Sequence, residues 1–139
     1  MVSVAYHYAS VLRTGLQLIF GKQGKTTQVP QLVLDDKILK GQGAITNIIV
    51  TQPRRISAIG VSERIADERA ERVGDTCGYS IKLEKRISSK TRLLLCTTGV
   101  LLRRLQCDPD LASVSHIFVD EVGRTISLAL PSCPLAHVS

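Results

Sequence analysis

Three clusters in this 139-residue chain carry residue types suited to phosphate chemistry. The first is Gly24, Lys25, Thr26 and Thr27, followed by Gln28. Glycine, lysine and hydroxyl in that order form the end of a phosphate-binding loop. In such a loop, backbone amides and a helix N-terminus cradle the phosphates, the lysine (here Lys25) would meet the β and γ oxygens, and the hydroxyl (here Thr26) would hold Mg²⁺. The second cluster is Thr51, Gln52, Pro53, Arg54 and Arg55, where paired guanidiniums beside a hydroxyl follow an apolar run. Such a group suits a grip on a phosphate backbone. The third is Asp120 and Glu121, two carboxylates after Ile117, Phe118 and Val119. Asp120 is suited to positioning Mg²⁺ and Glu121 to orienting or activating an attacking water. Taken singly, each cluster has a plain structural explanation: a chance tripeptide, a solvated arginine pair, an acidic turn.

The elements that must position them alternate between strand and helix. Ile48, Ile49 and Val50 read as a buried strand over 47–51, broken by Pro53. An apolar run at 16–20 predicts a first strand, a glycine turn follows, and a helix covers about 25–39. Residues 40–43 form a loop. Ile59, Val61, Ile65, Ala66, Ala70 and Val73 lie broadly on one face of a helix over 57–72, which Gly74 would close. Strands are expected at 79–83 and 93–97, separated by a basic, serine-containing loop. A helix over 100–106 stops before Asp108 and Pro109, and a last strand covers 117–119. This alternation predicts an α/β fold, with a parallel sheet and helices on its faces.

Composition narrows the partners. Apolar residues at 44% and charged residues at 22% describe one globular domain and exclude a disordered chain. Eighteen basic against twelve acidic residues give +6, which favours a polyanion. With no tryptophan and 4% aromatics, base stacking on aromatic side chains is not expected, so any grip should go to the backbone. Cys77, Cys96, Cys107 and Cys133 fit no zinc-ligand spacing and read as core or incidental thiols of a reducing compartment. No run is long enough for a membrane span, and residues 1–10 lack the pattern of a signal peptide. The expected location is intracellular, cytoplasmic or nuclear, with no membrane partner.

The string TQPRRISA at 51–58 resembles motif Ia of the DEAH/RNA-helicase-A family of superfamily 2 helicases. Thr97, Thr98, Gly99, Val100, Leu101 and Leu102 resemble its motif Ib. Gly78, Tyr79, Ser80, Ile81 and Lys82 resemble its Gly-Tyr-x-Ile-Arg strand, with lysine for arginine. The helix segment from Ser62 to Ala66 resembles one whose arginine, here Arg64, lies against the adenine. With the Gly-Lys-Thr and Asp-Glu pairs, the resemblance runs over residues 24–122.

It implies a three-layer RecA-like P-loop domain with a mainly parallel sheet, incomplete at both ends. That domain would occupy residues 16–122, after an extension at 1–15 and before a divergent tail at 123–139. ATP and Mg²⁺ are the implied cofactors. Gly21, Gly24, Lys25, Thr26, Thr27 and Arg64 would bind nucleotide, Thr26 and Asp120 would hold the metal, and Glu121 would be catalytic. Single-stranded RNA would be held through its backbone by Thr51, Gln52, Pro53, Arg54, Arg55, Thr97, Thr98 and Gly99.

Two departures stand out. Ile19 occupies the place of the first loop glycine, so a loop counted from Gly21 is two residues short, and Lys22 replaces a further glycine. After Glu121 come Val122 and Gly123, where the family has a histidine. The family's second RecA-like domain is missing from these residues. The implied function is therefore a fragment of an ATP-dependent RNA helicase, from a family that couples hydrolysis to RNA translocation and unwinding, unable to catalyse alone. The other readings are an inactive nucleic-acid-binding or interaction module, and an erroneous gene model.

Overall fold

The run of β-branched residues after Asn47 forms a strand buried along its whole length in the computed structural model, which describes residues 7–10, 17–21 and 27–120. In chain order the elements are β1 (His7–Ser10), β2 (Gln17–Gly21), α1 (Gln28–Leu39), a short 3-10 turn (Gly43–Ile45), β3 (Ile48–Gln52), α2 (Arg55–Glu68), β4 (Cys77–Ser80), β5 (Lys85–Arg86), β6 (Leu93–Thr97), α3 (Thr98–Cys107) and β7 (His116–Asp120). One sheet takes the order β1-β2-β7-β3-β6-β4-β5. Its five inner strands are parallel, and an antiparallel strand closes each edge. This is a mainly parallel α/β arrangement, as the alternation of elements predicts, and it agrees with the RecA-like domain that the resemblance implies.

Alternation along the strands sorts side chains between two faces. Ile48, Val50, Leu93, Leu95, Tyr79 and Phe118 pack against Leu34 of α1 and against Ala58 and Ile65 of α2. Ile49, Cys96, Ile117 and Val119 pack against Leu101 of α3 with Leu111 and Val114. Three layers result, with α1 and α2 on one face and α3 on the other.

Several boundaries differ from the expectation, each for a local reason. The helix expected over 57–72 ends at Glu68, and its closure uses Ala70 in place of Gly74. Ala70 has φ +53, its amide donates to the Asp67 carbonyl, and the Glu71 amide donates to the Ala66 carbonyl. These two bonds make a Schellman closure with alanine in the left-handed position. Gly74 also has positive φ, but it serves the turn into β4, where its amide donates to the Cys77 carbonyl. The strand expected at 79–83 begins earlier, at Cys77, because the chain folds back after Ser80 and the Ile81 amide donates to the Glu84 carbonyl. The basic loop contains β5, paired antiparallel with β4. Residues 7–10, expected to be an extension, form the antiparallel edge strand on β2.

Cys77 and Cys96 are buried and free, as expected of core thiols, and burial pushes both up to about 12. Among the described residues no helix is long and apolar enough to cross a membrane.

Candidate nucleotide and nucleic-acid edge

The C-terminal ends of the parallel strands gather the motif residues on one edge of the sheet. Gln52 and Thr97 are partners in the β3–β6 ladder, so the loop carrying Arg54 and Arg55 and the Thr97-Thr98-Gly99 turn are neighbours. From those adjacent ends the chain leaves in opposite directions, into α2 on one face and α3 on the other. Adjacent strands whose connections diverge in this way open a crevice, the usual ligand site of parallel α/β sheets.

Both helices begin there without a side-chain cap. Arg54 precedes α2 in extended conformation (φ −120°, ψ 143°), and Thr97 precedes α3 (φ −78°, ψ 155°). Two helix N-termini thus present their first amides, and their positive dipole ends, to the same crevice. Pro53, Arg54, Arg55 and Gly99 are exposed, and Thr97 and Thr98 are half-buried. Neither arginine forms an ion pair with a described residue. Arginines free of carboxylates beside open amides form an anion-attracting edge.

Two expected contacts lie elsewhere. Thr51 is 0% exposed, and its Oγ1 donates to the Phe118 carbonyl at 3.4 Å, across to β7. Its hydroxyl is used inside the sheet and does not reach the surface. Gln52 is likewise buried, at 4%. Both residues shape the end of β3 from within, because period-2 burial on both faces leaves no exposed side in a central strand.

On the nucleotide side, Gly21 and Asp120 are partners at the ends of β2 and β7. Gly21 and Asp120, expected at the nucleotide and at its metal, therefore end on the same edge of the sheet, an arrangement that fits a Mg²⁺-nucleotide. Gly24, Lys25, Thr26 and Glu121 lie outside the described residues. Among the described residues no cluster of histidine, cysteine or acidic side chains is arranged to hold a metal by itself. Thr27 precedes α1, and its carbonyl accepts from Gln31 Nε2 at 2.8 Å.

Arg64, expected at the nucleotide, is exposed on α2, and its Nε donates to Glu68 Oε1 at 3.2 Å. Glu68 Oε2 also accepts from Gln31 at 2.8 Å and from Gln28 at 3.1 Å. Arg64 is thereby tied to the first turn of α1, directly after the Gly-Lys-Thr motif. These bonds, that from Gln31 foremost, hold the Glu68 carboxyl below the usual carboxylate range. Glu68, Gln28 and Gln31 were not among the expected site residues. The four-residue spacing of Arg64 and Glu68 was the only sequence signal, and it fits any solvated helix face equally well.

No protein-family profile matches the chain. Individual relatives do. A human putative ATP-dependent RNA helicase, DHX57, is 66% identical over 99 residues, covering 71% of this chain and 7% of the helicase. The Arabidopsis thaliana DExH-box ATP-dependent RNA helicase DExH1 is 60% identical over 99 residues, 71% of this chain and 10% of that protein. The human ATP-dependent DNA/RNA helicase DHX36 is 54% identical over 102 residues, again 71% and 10%. The chain thus spans a tenth or less of the length of these relatives. With the motifs in order on a mainly parallel α/β sheet, this identity shows that the chain belongs to the DEAH/RNA-helicase-A family of RNA helicases.

Proposed function

We propose that residues 16–122 form the nucleotide- and RNA-facing part of a first RecA-like motor domain, which holds single-stranded RNA by its backbone and does not hydrolyse ATP alone. The reading is carried chiefly by the crevice between β3 and β6. There Arg54, Arg55 and the uncapped starts of α2 and α3 face one side together. Successive phosphates would be met by the two guanidiniums and by the amides at Thr98 and Gly99, which contact sugar-phosphate and not bases. The basic balance of the chain agrees.

ATP would be held by Gly21, Gly24, Lys25, Thr26 and Thr27, with Arg64 against the base. Mg²⁺ between Thr26 and Asp120 would neutralise phosphate charge. Glu121 would orient the water. The turnover expected of the intact family needs charge stabilisation from a second RecA-like domain. In the cell the chain would act in the cytoplasm or nucleus.

A second reading, an RNA-binding module without nucleotide, is favoured by the loop that is two residues short of the phosphate-binding pattern. Calorimetry with Mg-ATP separates the two. Binding that is lost in Lys25→Ala supports the nucleotide reading, and no binding leaves the module. Single-stranded RNA affinity that does not depend on Arg54 and Arg55 would overturn both.

A further inference from the structure

We infer that Glu68, supported by Gln31, is a positioning residue of the nucleotide site: its carboxylate fixes the Arg64 guanidinium beside the first turn of α1. This rests on the nucleotide reading above and adds residues to it.

The carboxylate sits at the seam between two helices distant in sequence. One oxygen takes Arg64 Nε from its own helix, four residues back, at 3.2 Å. The other takes the side-chain amides of Gln28 at 3.1 Å and Gln31 at 2.8 Å from α1. Gln31 is only 8% exposed, and the same Nε2 donates to the Thr27 carbonyl at 2.8 Å. Its two amide hydrogens thus join the last loop residue to Glu68. Below them Arg69 Nη1 pairs with Asp35 Oδ1 at 2.9 Å, so Gln28, Gln31 and Asp35 form one stripe of α1 locked to α2.

A guanidinium bound in its plane through Nε keeps both flat faces open, and Arg64 remains largely exposed, at 69% of its side chain. A planar cation held in this way suits stacking by an aromatic base. Without Glu68 the long side chain recovers its rotamer freedom, which a ligand must then restrict. A lone exposed helical ion pair would add little to folding. Here, the shared acceptor links Arg64 to the loop that would hold the phosphates.

The test compares Mg-ATP with inorganic tripolyphosphate, which carries the charge but no base, by calorimetry on the full 139-residue chain. Glu68→Ala and Arg64→Ala should each weaken ATP by ~3–10-fold and leave tripolyphosphate unchanged. The double variant should lose no more than either single one, because both remove the same interaction. Glu68→Gln, which keeps an acceptor for the glutamines and lowers the demand on folding, should show the same selective loss.

Equal losses for ATP and tripolyphosphate would overturn the inference by showing a general disturbance of α1. Additive effects of the two alanines, or unchanged ATP affinity, would overturn it too. In each of these cases the Lys25-dependence of binding in the parent leaves the nucleotide reading intact. A parent chain that binds neither ligand removes that reading and the inference together.

Discussion

Gln52 and Thr97 are opposite one another at the ends of β3 and β6, although they lie far apart in the chain. One is buried in the sheet and the other immediately precedes α3, so the two motif loops meet only because their strands are adjacent and parallel. The site is thus a property of strand order, and its parts can be tested singly.

Replacing Arg54 and Arg55 by alanine should weaken binding of single-stranded RNA for all sequences alike. Every phosphate left without its cation flattens the dependence of log K on log salt by about 0.7, so the slope of the double variant should be shallower by about one to two units. Fluorescence anisotropy over a salt series measures this. An unchanged slope would remove the arginine pair from the interface.

ATP turnover by the chain alone should not rise above background with or without RNA. Charge stabilisation of the arginine-finger kind is worth about 10³–10⁵ in rate, and a single RecA-like domain lacks a partner to supply it. A phosphate-release assay showing RNA-stimulated turnover would contradict this. Inserting two residues, including a glycine, between Phe20 and Gly24 should tighten nucleotide binding by adding amides that face the phosphates.

Two small substitutions probe the backbone in opposite directions. Ala70→Gly relieves a left-handed alanine, which costs about 1–2 kcal/mol, against roughly 0.4–1 kcal/mol for the greater freedom of glycine in the unfolded chain. A net gain of about 0.5–1 kcal/mol is expected from urea denaturation. Gly78→Ala should destabilise by about 1–3 kcal/mol, since the new Cβ would lie 2.2 Å from the Arg86 carbonyl oxygen, which must move away from β4. Equal midpoints for Gly78→Ala and the parent would show that β5 yields freely.

Cys107 is exposed while Cys77 and Cys96 are buried, with thiols pushed up to about 12 by burial. At about pH 8 a thiol reagent should label exposed Cys107 in the folded protein and reach buried Cys77 and Cys96 only on unfolding. The linkage has a definite sign. The fold favours the neutral thiol, so its contribution is complete below the ordinary thiol pKa and is lost as pH rises from there toward about 12. The fall in urea midpoint over that window should be smaller in Cys96→Ala than in the parent; equal falls would count against it.

The α/β class, the order of the five parallel strands and three helices along the chain, and the family were legible in the residues alone, while the antiparallel edge strands β1 and β5 were not. Those features are local: apolar runs such as Ile48, Ile49 and Val50, a breaker at Pro53, and motif strings whose chemistry depends on neighbouring residues. Helix ends were less legible, because Ala70 closes α2 in a conformation that a glycine pattern does not anticipate. The direction of the Thr51 hydroxyl, turned into the sheet, came from the assembled fold, since a central strand covered on both faces exposes neither side. So did the joining of Arg64 through Glu68 to Gln28 and Gln31. No periodicity in a single helix records which residue of another helix will face it. That pairing follows from how α1 and α2 lie side by side on one face of the sheet.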